Sequence, residues 1–402
     1  MLPVELKKDI FWVGVEDFGR RDFHGYSLAP RGTTYNAYLL KDRKNVLFDT
    51  VDAQAAAAML ERLEQVLPAS KVDYIVANHL EPDHAGALAY MVERCRPEKV
   101  FCSAAGLKSM AGHFDISGWP VQTVQNGETI SAGLRNIRFV ETRMLHWPDS
   151  MFSYILEEKL LISGDAFGQN LASGCRYADE TDRALLVQAI EEYYYNIVLP
   201  FSSQVLKTLD LAAELKLEPE IIAPDHGLIF RRPEDAAFIL DKYRELALQR
   251  PRKKALVFYD TMWRSTERLA GTAAEGLDKC RVPCRVMSLK NHHHSEVMTE
   301  LAGCGAVIVG SPTHNNGVLP QVSAMLTYMK GLRPLNRLGG TFGSYGWSGE
   351  AQKHIAEALE AMKVEQPVSP VKCLFKPKTG DLAAAFALGE QIGAALTARC
   401  RE

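Results

Sequence analysis

Residues 78 to 86 read NHLEPDHAG and follow directly on the apolar run VDYIVA, residues 72 to 77. The stretch sets His79, Glu81, Asp83 and His84 within six positions. Each such group costs several kcal/mol to bury without a partner, so an ordinary core avoids them. The cluster implies that something is bound there. In extended backbone His79 and Glu81 point the same way, whereas Asp83 and His84 follow where the chain turns toward the helical run AGALAYMVERC. Two pairs of ligands then face two adjacent ions.

Further candidates sit at the ends of later apolar runs: His146 in MLHWPDS, Asp165 in LISGDAFG and His226 in IIAPDHGLIF. A polar residue just past an apolar strand is where α/β folds gather their chemistry. One such residue alone reads equally as a turn former or a satisfied core group. Together with the HxExDH stretch they read as a metal site.

The wider composition bounds the rest. At 402 residues the chain exceeds one ordinary core, and 47% apolar content is enough to bury two. A net charge of -3 with interleaved signs argues against a nucleic-acid or membrane-surface role. No apolar run approaches the roughly 20 residues that span a bilayer, and the first residues, MLPVELKKDIFW, do not read as a signal peptide. A cytoplasmic protein is expected. Its eight cysteines form no CxxC pair, which speaks for reduced, structural thiols over a disulfide framework, an iron-sulfur site or a rubredoxin site.

One seam divides the chain. Up to about residue 248 strands run consecutively (IFWVGVE, TTYNAYLLKD, NVLFDTV) between helical groups such as AQAAAAMLERLEQVL. After the basic linker QRPRKK a regular alternation begins: the strands ALVFYD, AVIVGSP and RLGGTFGSYG are separated by helical runs such as STERLAGTAAEGLDK and QVSAMLTYMKGL. That order predicts a doubly wound parallel sheet. The expected domains are 1–249 and 250–402.

The HxExDH pattern with a later His, Asp and His resembles the metallo-β-lactamase superfamily, whose motif carries histidine at the second position. Glu81 in its place is characteristic of one branch, the flavodiiron proteins or A-type flavoproteins. Zinc suits histidine-rich sets, whereas oxygen donors stabilise ferric charge. With three carboxylates, two Fe(II) ions and one hydroxide bridge sum to zero net charge. By this resemblance the N-terminal half is an αββα metallo-β-lactamase-like domain. His79, Glu81 and His146 hold one iron, Asp83, His84 and His226 hold the other, and Asp165 bridges them.

The second half resembles flavodoxin. A diiron pair delivers two electrons where reduction of dioxygen to water takes four, so a second two-electron store is needed, and FMN fits. The segment after the first strand offers hydroxyls and helix N-terminal amides for its phosphate: Thr261, Met262, Trp263, Arg264, Ser265 and Thr266. Two further loops approach the flavin ring: Ser311, Pro312, Thr313, His314, Asn315, Asn316 and Gly317, then Ser344, Tyr345, Gly346 and Trp347. The first loop departs from ordinary flavodoxins, having Met262, Trp263 and Arg264 where a glycine is usual. Tyr26, Tyr195 and Trp347 map onto aromatics that the family places near its metals, and ordinary aromatic packing explains each equally well. His292 to His294 read as a solvated helix start, since three consecutive side chains diverge.

The resemblance implies an oxidoreductase that reduces O2 to water, NO to N2O, or both. Electrons would pass through FMN from rubredoxin or a similar small carrier. It also implies a head-to-tail homodimer or a dimer of such dimers. Two other readings stand beside it at this point: a binuclear zinc hydrolase with an accessory flavodoxin-like domain, and an electron-transfer flavoprotein with a vestigial first domain.

Overall fold

The computed structural model describes residues 2–401. They form two compact units. The first gathers the chain up to Phe23 with Ala29–Tyr194 and Phe201–Ala247, and the second gathers His24–Leu28, Tyr195–Pro200 and the chain from Leu248 onward.

Two sheets make the centre of the first unit. A seven-stranded sheet runs in the order Val4–Lys7, Ile10–Trp12, Tyr38–Leu40, Val46–Phe48, Tyr74–Val76, Lys99–Ser103 and Val121–Val124. It is antiparallel as far as Val46–Phe48 and parallel beyond. The second sheet has five strands, Thr129–Ser131, Asn136–Glu141, Met151–Ile155, Leu160–Ile162 and Ile221–Ala223. Trp12, Tyr38, Phe48, Val76 and Phe101 of the first pack against Phe139, Ile155, Leu160 and Ile162 of the second, which closes the sheets face to face. The opposite face of the larger sheet is covered by helices Ala56–Glu64 and Leu88–Cys95, through Met59, Leu63, Leu88 and Met91 on Leu39, Leu47 and Ile75. Central strands buried on both faces explain why YIV and VLF carry no polar alternation.

The run TTYNAYLLKD breaks into Thr33–Tyr35 and Tyr38–Leu40 where one strand was expected. Gly14 is the reason: a Cβ there would stand 2.3 Å from the Tyr35 carbonyl and 2.7 Å from Asn36 Cα, so two backbones meet at this point. Asn36 leaves the ladder there.

In the second unit five parallel strands stand in the order Cys284–Ser288, Ala255–Tyr259, Ala306–Gly310, Leu338–Tyr345 and Val371–Leu374. The chain starts second from the edge, steps outward, then returns past its starting strand, which is the flavodoxin order with its switch point beside Ala255–Tyr259. Helices Ser265–Lys279 and Thr379–Arg399 close one face through Leu269, Leu277, Leu388 and Ile392. His293 caps the helix His294–Ala302, so the three histidines do open a helix.

Candidate metal centre and cofactor cleft

Strand Tyr74–Val76 delivers the residues 78 to 84 into an extended stretch and a short helix, Pro82–Ala85. Leu160–Ile162 leads to Asp165, and Ile221–Ala223 leads to His226. His146 precedes Met151–Ile155. The seven side chains converge as two groups, His79, Glu81, His146 and Asp165 in one and Asp83, His84 and His226 in the other, with donor atoms inside each group no more than 4.8 Å apart.

Asp165 stands between the groups. Its Oδ2 lies 2.8 Å from His146 Nε2 and 3.3 Å from His79 Nε2, while its Oδ1 lies 2.9 Å from His84 Nε2 and 3.5 Å from His226 Nε2. Glu81 Oε2 is 3.2 Å from both His79 Nε2 and His146 Nε2. Asp83 Oδ2 is 3.1 Å from His226 Nε2 and 3.4 Å from His84 Nε2. An ion about 2.1 Å from each donor makes donor-to-donor edges of about 3.0 Å when octahedral and about 3.4 Å when tetrahedral. The observed spacings are such edges. Asp83 Oδ1, Asp165 Oδ1 and His84 Nε2 are buried and no hydrogen bond satisfies them, which a cation at each seat would.

Behind the Nε2 atoms a second set of groups fixes the rings. His79 Nδ1 faces Asp149 Oδ2 at 3.2 Å, His84 Nδ1 faces Asp225 Oδ2 at 3.7 Å, and His226 Nδ1 donates to the Thr34 carbonyl at 2.6 Å. Asp149 also accepts from the Leu80 amide, and Asp49 accepts from the Asn78 amide and side chain. With Nδ1 of His79 and His226 so occupied, their Nε2 is left for the centre, while His84 Nδ1 makes no hydrogen bond. Burial pulls His79 down, but Asp149, Asp165 and Glu81 hold it well above its ordinary value. Asp165 is opposed by burial and held well below the carboxylate range by His84, His146 and His79. Burial, with Asp49 nearby, pushes Asp225 well up. These carboxylates offer a cation what they offer a proton.

Aromatic rings shield the donors. Trp147 meets His79 edge-on at 5.3 Å between centroids, Phe23 meets His226 at 5.4 Å, and Tyr193 lies 5.9 Å from His226. Tyr193 belongs to the same YYY run as Tyr195, which is itself buried and groups with the second unit. Tyr26 also groups there and is exposed. Sequence reasoning missed Asp49, Asp149, Asp225, Tyr193 and Phe23. The acids carried a signal, since each lies at a strand end or within three residues of a ligand.

In the second unit a cavity of about 860 Å³ opens at the carboxyl ends of the strands. Thr261, Met262, Trp263, Arg264 and Ser265 line it with Pro312, Thr313, His314, Asn315, Ser344, Tyr345, Gly346 and Trp347. Thr266 and Ser311 are buried behind this wall, and Asn316 and Gly317 lie off the lining. Ser311 Oγ is instead spent on the Leu319 amide and the Pro312 carbonyl. Arg268, Phe375, Lys376 and Pro377 join the lining without having been expected. Arg268 is one turn into the helix from Arg264, and FKP follows the last strand, so topology was the only signal for them. The volume falls in the range of small-molecule sites, and the helix starting at Ser265 begins at the cavity lining without a side-chain cap, the kind of helix N-terminus that suits a phosphate. Gly343 lets the backbones close: a Cβ there would stand 1.9 Å from the Ser311 carbonyl.

A buried two-seat set of four histidines and three carboxylates, in one chain with a flavodoxin-type cleft, defines a diiron flavoprotein oxidoreductase. Residues 33–227 match the ODP family beta lactamase model, and residues 257–389 match flavodoxin. The chain is 49% identical to the rubredoxin-oxygen oxidoreductase of Megalodesulfovibrio gigas, over 96% of each protein. It is 40% identical to the nitric oxide reductase of Moorella thermoacetica, over 98% of each. The solved structure of rubredoxin oxygen:oxidoreductase from Desulfovibrio gigas superposes with a TM-score of 0.99 at 47% identity, covering 100% of both chains. The chain belongs to the flavodiiron protein family, and its cofactors are FMN and a pair of irons.

Proposed function

We propose that the chain reduces dioxygen to water, and nitric oxide to nitrous oxide, with electrons entering at FMN from a separate small carrier of the rubredoxin type. The observation that carries this reading is Asp165, whose two oxygens divide between the two groups of histidines. A carboxylate so placed ties two ions into one reactive unit, as a two-metal reduction needs. The relatives' names support both substrates, one being an oxygen oxidoreductase and the other a nitric oxide reductase.

When bound, the irons and FMN supply the reducing equivalents. The chain's own groups prepare the site. His79, Glu81 and His146 form one seat, Asp83, His84 and His226 the other; Asp149 and the Thr34 carbonyl hold the rings of His79 and His226 in place. Trp147, Phe23 and Tyr193 keep water off the histidines. Thr261 to Thr266, the loop Ser311 to Gly317 and Ser344 to Trp347 form the FMN site, and Tyr26, Tyr195 and Trp347 are the aromatic residues assigned to the surroundings of the metals. Three carboxylates in the donor set favour iron over the zinc of a hydrolase.

The working division is 1–249 for the diiron domain and 250–402 for the FMN domain, in a cytoplasmic protein. No helix among the described residues is long and apolar enough to cross a membrane. Trp263 and Trp347, each 88% exposed, with Phe375 at 63%, share one cavity rim and offer an apolar surface that a partner copy would cover, which supports a head-to-tail homodimer.

Metal and flavin analysis together with turnover tests the reading. The expected result is two irons and one FMN per chain, with four electrons consumed per O2 and no peroxide released. Two zincs, no flavin and no uptake of either gas would overturn it.

A further inference from the structure

Asn36 is fully buried and lies in the break between Thr33–Tyr35 and Tyr38–Leu40. Its side-chain Nδ2 donates to the Pro224 carbonyl at 2.7 Å and to the Gly227 carbonyl at 3.0 Å, and its backbone amide donates to the Asp225 carbonyl at 2.7 Å. Three bonds from one residue thus bracket the loop that carries His226. The amide has no freedom to turn over. Trp12 Nε1 donates to Asn36 Oδ1 at 2.8 Å, and an indole N–H can only donate, just as the two carbonyls can only accept.

The indole is itself fixed. The Arg62 guanidinium lies 4.3 Å from the Trp12 ring centre and that of Arg176 lies 3.5 Å from it. Both arginines pair with the carboxylate of Glu16, whose Oε2 is 3.1 Å from Arg62 Nη2. The indole therefore sits against two cations neutralised in part by one shared anion. Beside it the Tyr38 hydroxyl donates to Pro224 O at 2.6 Å, and the Gly227 amide donates to Thr34 Oγ1 at 2.7 Å. None of Glu16, Arg62, Arg176, Trp12 and Asn36 belongs to the seven donors.

We infer that Asn36, oriented by Trp12, is a positioning residue for His226, and that it sets the affinity of the seat formed by Asp83, His84 and His226 while leaving the other seat nearly untouched. The inference rests on the two-seat reading above. His226 Nε2 must stand at 3.1 Å from Asp83 Oδ2 to share an ion, and the ring's place follows from the backbone on either side of it. Groups that orient a ligand from behind are typically worth about 10–100-fold in metal affinity. In Asn36→Asp the bond from Trp12 survives, but a carboxylate oxygen replaces the donor facing two carbonyls. The loop is repelled where it was held.

The test is titration of the metal-free full chain with Co(II), whose visible bands report each seat. Wild type should take two equivalents, and Asn36→Asp should keep one tight site and weaken the other about 10–100-fold. A double-mutant cycle with His226→Ala separates positioning from general damage, because a residue acting through His226 has nothing left to lose once that ring is gone. Additive losses in the double variant would overturn the inference. Trp12→Phe keeps a ring against the guanidinium groups but removes the donor to Asn36 Oδ1, and should weaken the same seat by a smaller factor; this variant decides the matter should Asn36→Asp not fold. Wild type taking a single ion would overturn the two-seat reading and the inference with it. Wild type taking two, with Asn36→Asp and Trp12→Phe unchanged, would overturn the inference alone.

Discussion

The two cofactor sites solve opposite problems. In the first unit six of the seven candidate donors are nearly out of water, with His146 half-buried: His84 and His226 are 1% exposed, His79 2%, Asp165 5%, Asp83 6% and Glu81 7%. In the second the rim of the cavity is open, with Trp263 and Trp347 each 88% exposed. Burying so many ionisable groups is costly unless cations complete them, so the first site is tied to its ions and to the fold at once. The second is a preformed cleft between loops, and its occupant adds stability only by mass action. The same contrast separates the kinds of damage a mutation does.

The sharpest way to break the contrast is Asp165→Ala. It removes the one carboxylate shared by both groups and leaves four imidazoles to face each other. At least one iron and nearly all gas reduction should be lost while FMN stays bound. Full iron content in that variant, read by metal analysis, would remove Asp165 from the site. A smaller change of the same kind is Asp149→Asn. It keeps the shape but weakens the hold on His79 Nδ1, and should cost about 10–100-fold in metal affinity with flavin content unchanged.

The cleft should respond differently. Trp347→Ala removes an exposed ring from the lining, so it should lower FMN affinity by roughly 10-fold, about the worth of one aromatic contact, and leave the melting temperature of the flavin-free protein alone. A flavin titration beside a melting curve checks both. Loss of stability without loss of affinity would mean the ring packs on the fold rather than on the ligand.

The same contrast governs what could be read from the sequence. Charged groups after an apolar run are unusual enough to announce themselves, so all seven converging donors were legible as types at strand ends. Their supporters were fainter: Asp149 and Asp225 lie within three residues of a donor but look like turn residues, and Asn36 looks like an interruption in a strand, until the fold brings Pro224 and Gly227 beside it. In the second unit the loops were legible by their place after parallel strands, but not which residues face inward. Thr266 and Ser311 turned out to be buried, while Phe375 and Lys376 lie along the cavity. Side-chain direction in a loop is set by contacts far away in sequence, and period arguments do not reach it.

The smallest predicted effect should erase the contrast, because it concerns the cores rather than the sites. Burial pushes the thiols of Cys95 and Cys102 in the first unit, and of Cys304 in the second, up to about 12 from an ordinary 9.0. The folded thiol then keeps its proton between pH 9 and about 12, where the unfolded thiol has lost it. The native state binds more protons there, so the stability falls with rising pH across that window, and below pH 9 these thiols contribute no slope. One group contributes at most about 1.4 kcal/mol per pH unit. Cys102→Ala should cost about 1 kcal/mol at neutral pH through lost packing, and flatten the alkaline fall by one proton's worth. Cys304→Ala should do the same in the other unit. Denaturant melts of the full chain between pH 8 and 12 give the slopes directly, and a slope in Cys102→Ala equal to that of wild type would show that its thiol ionises as freely in the fold as outside it.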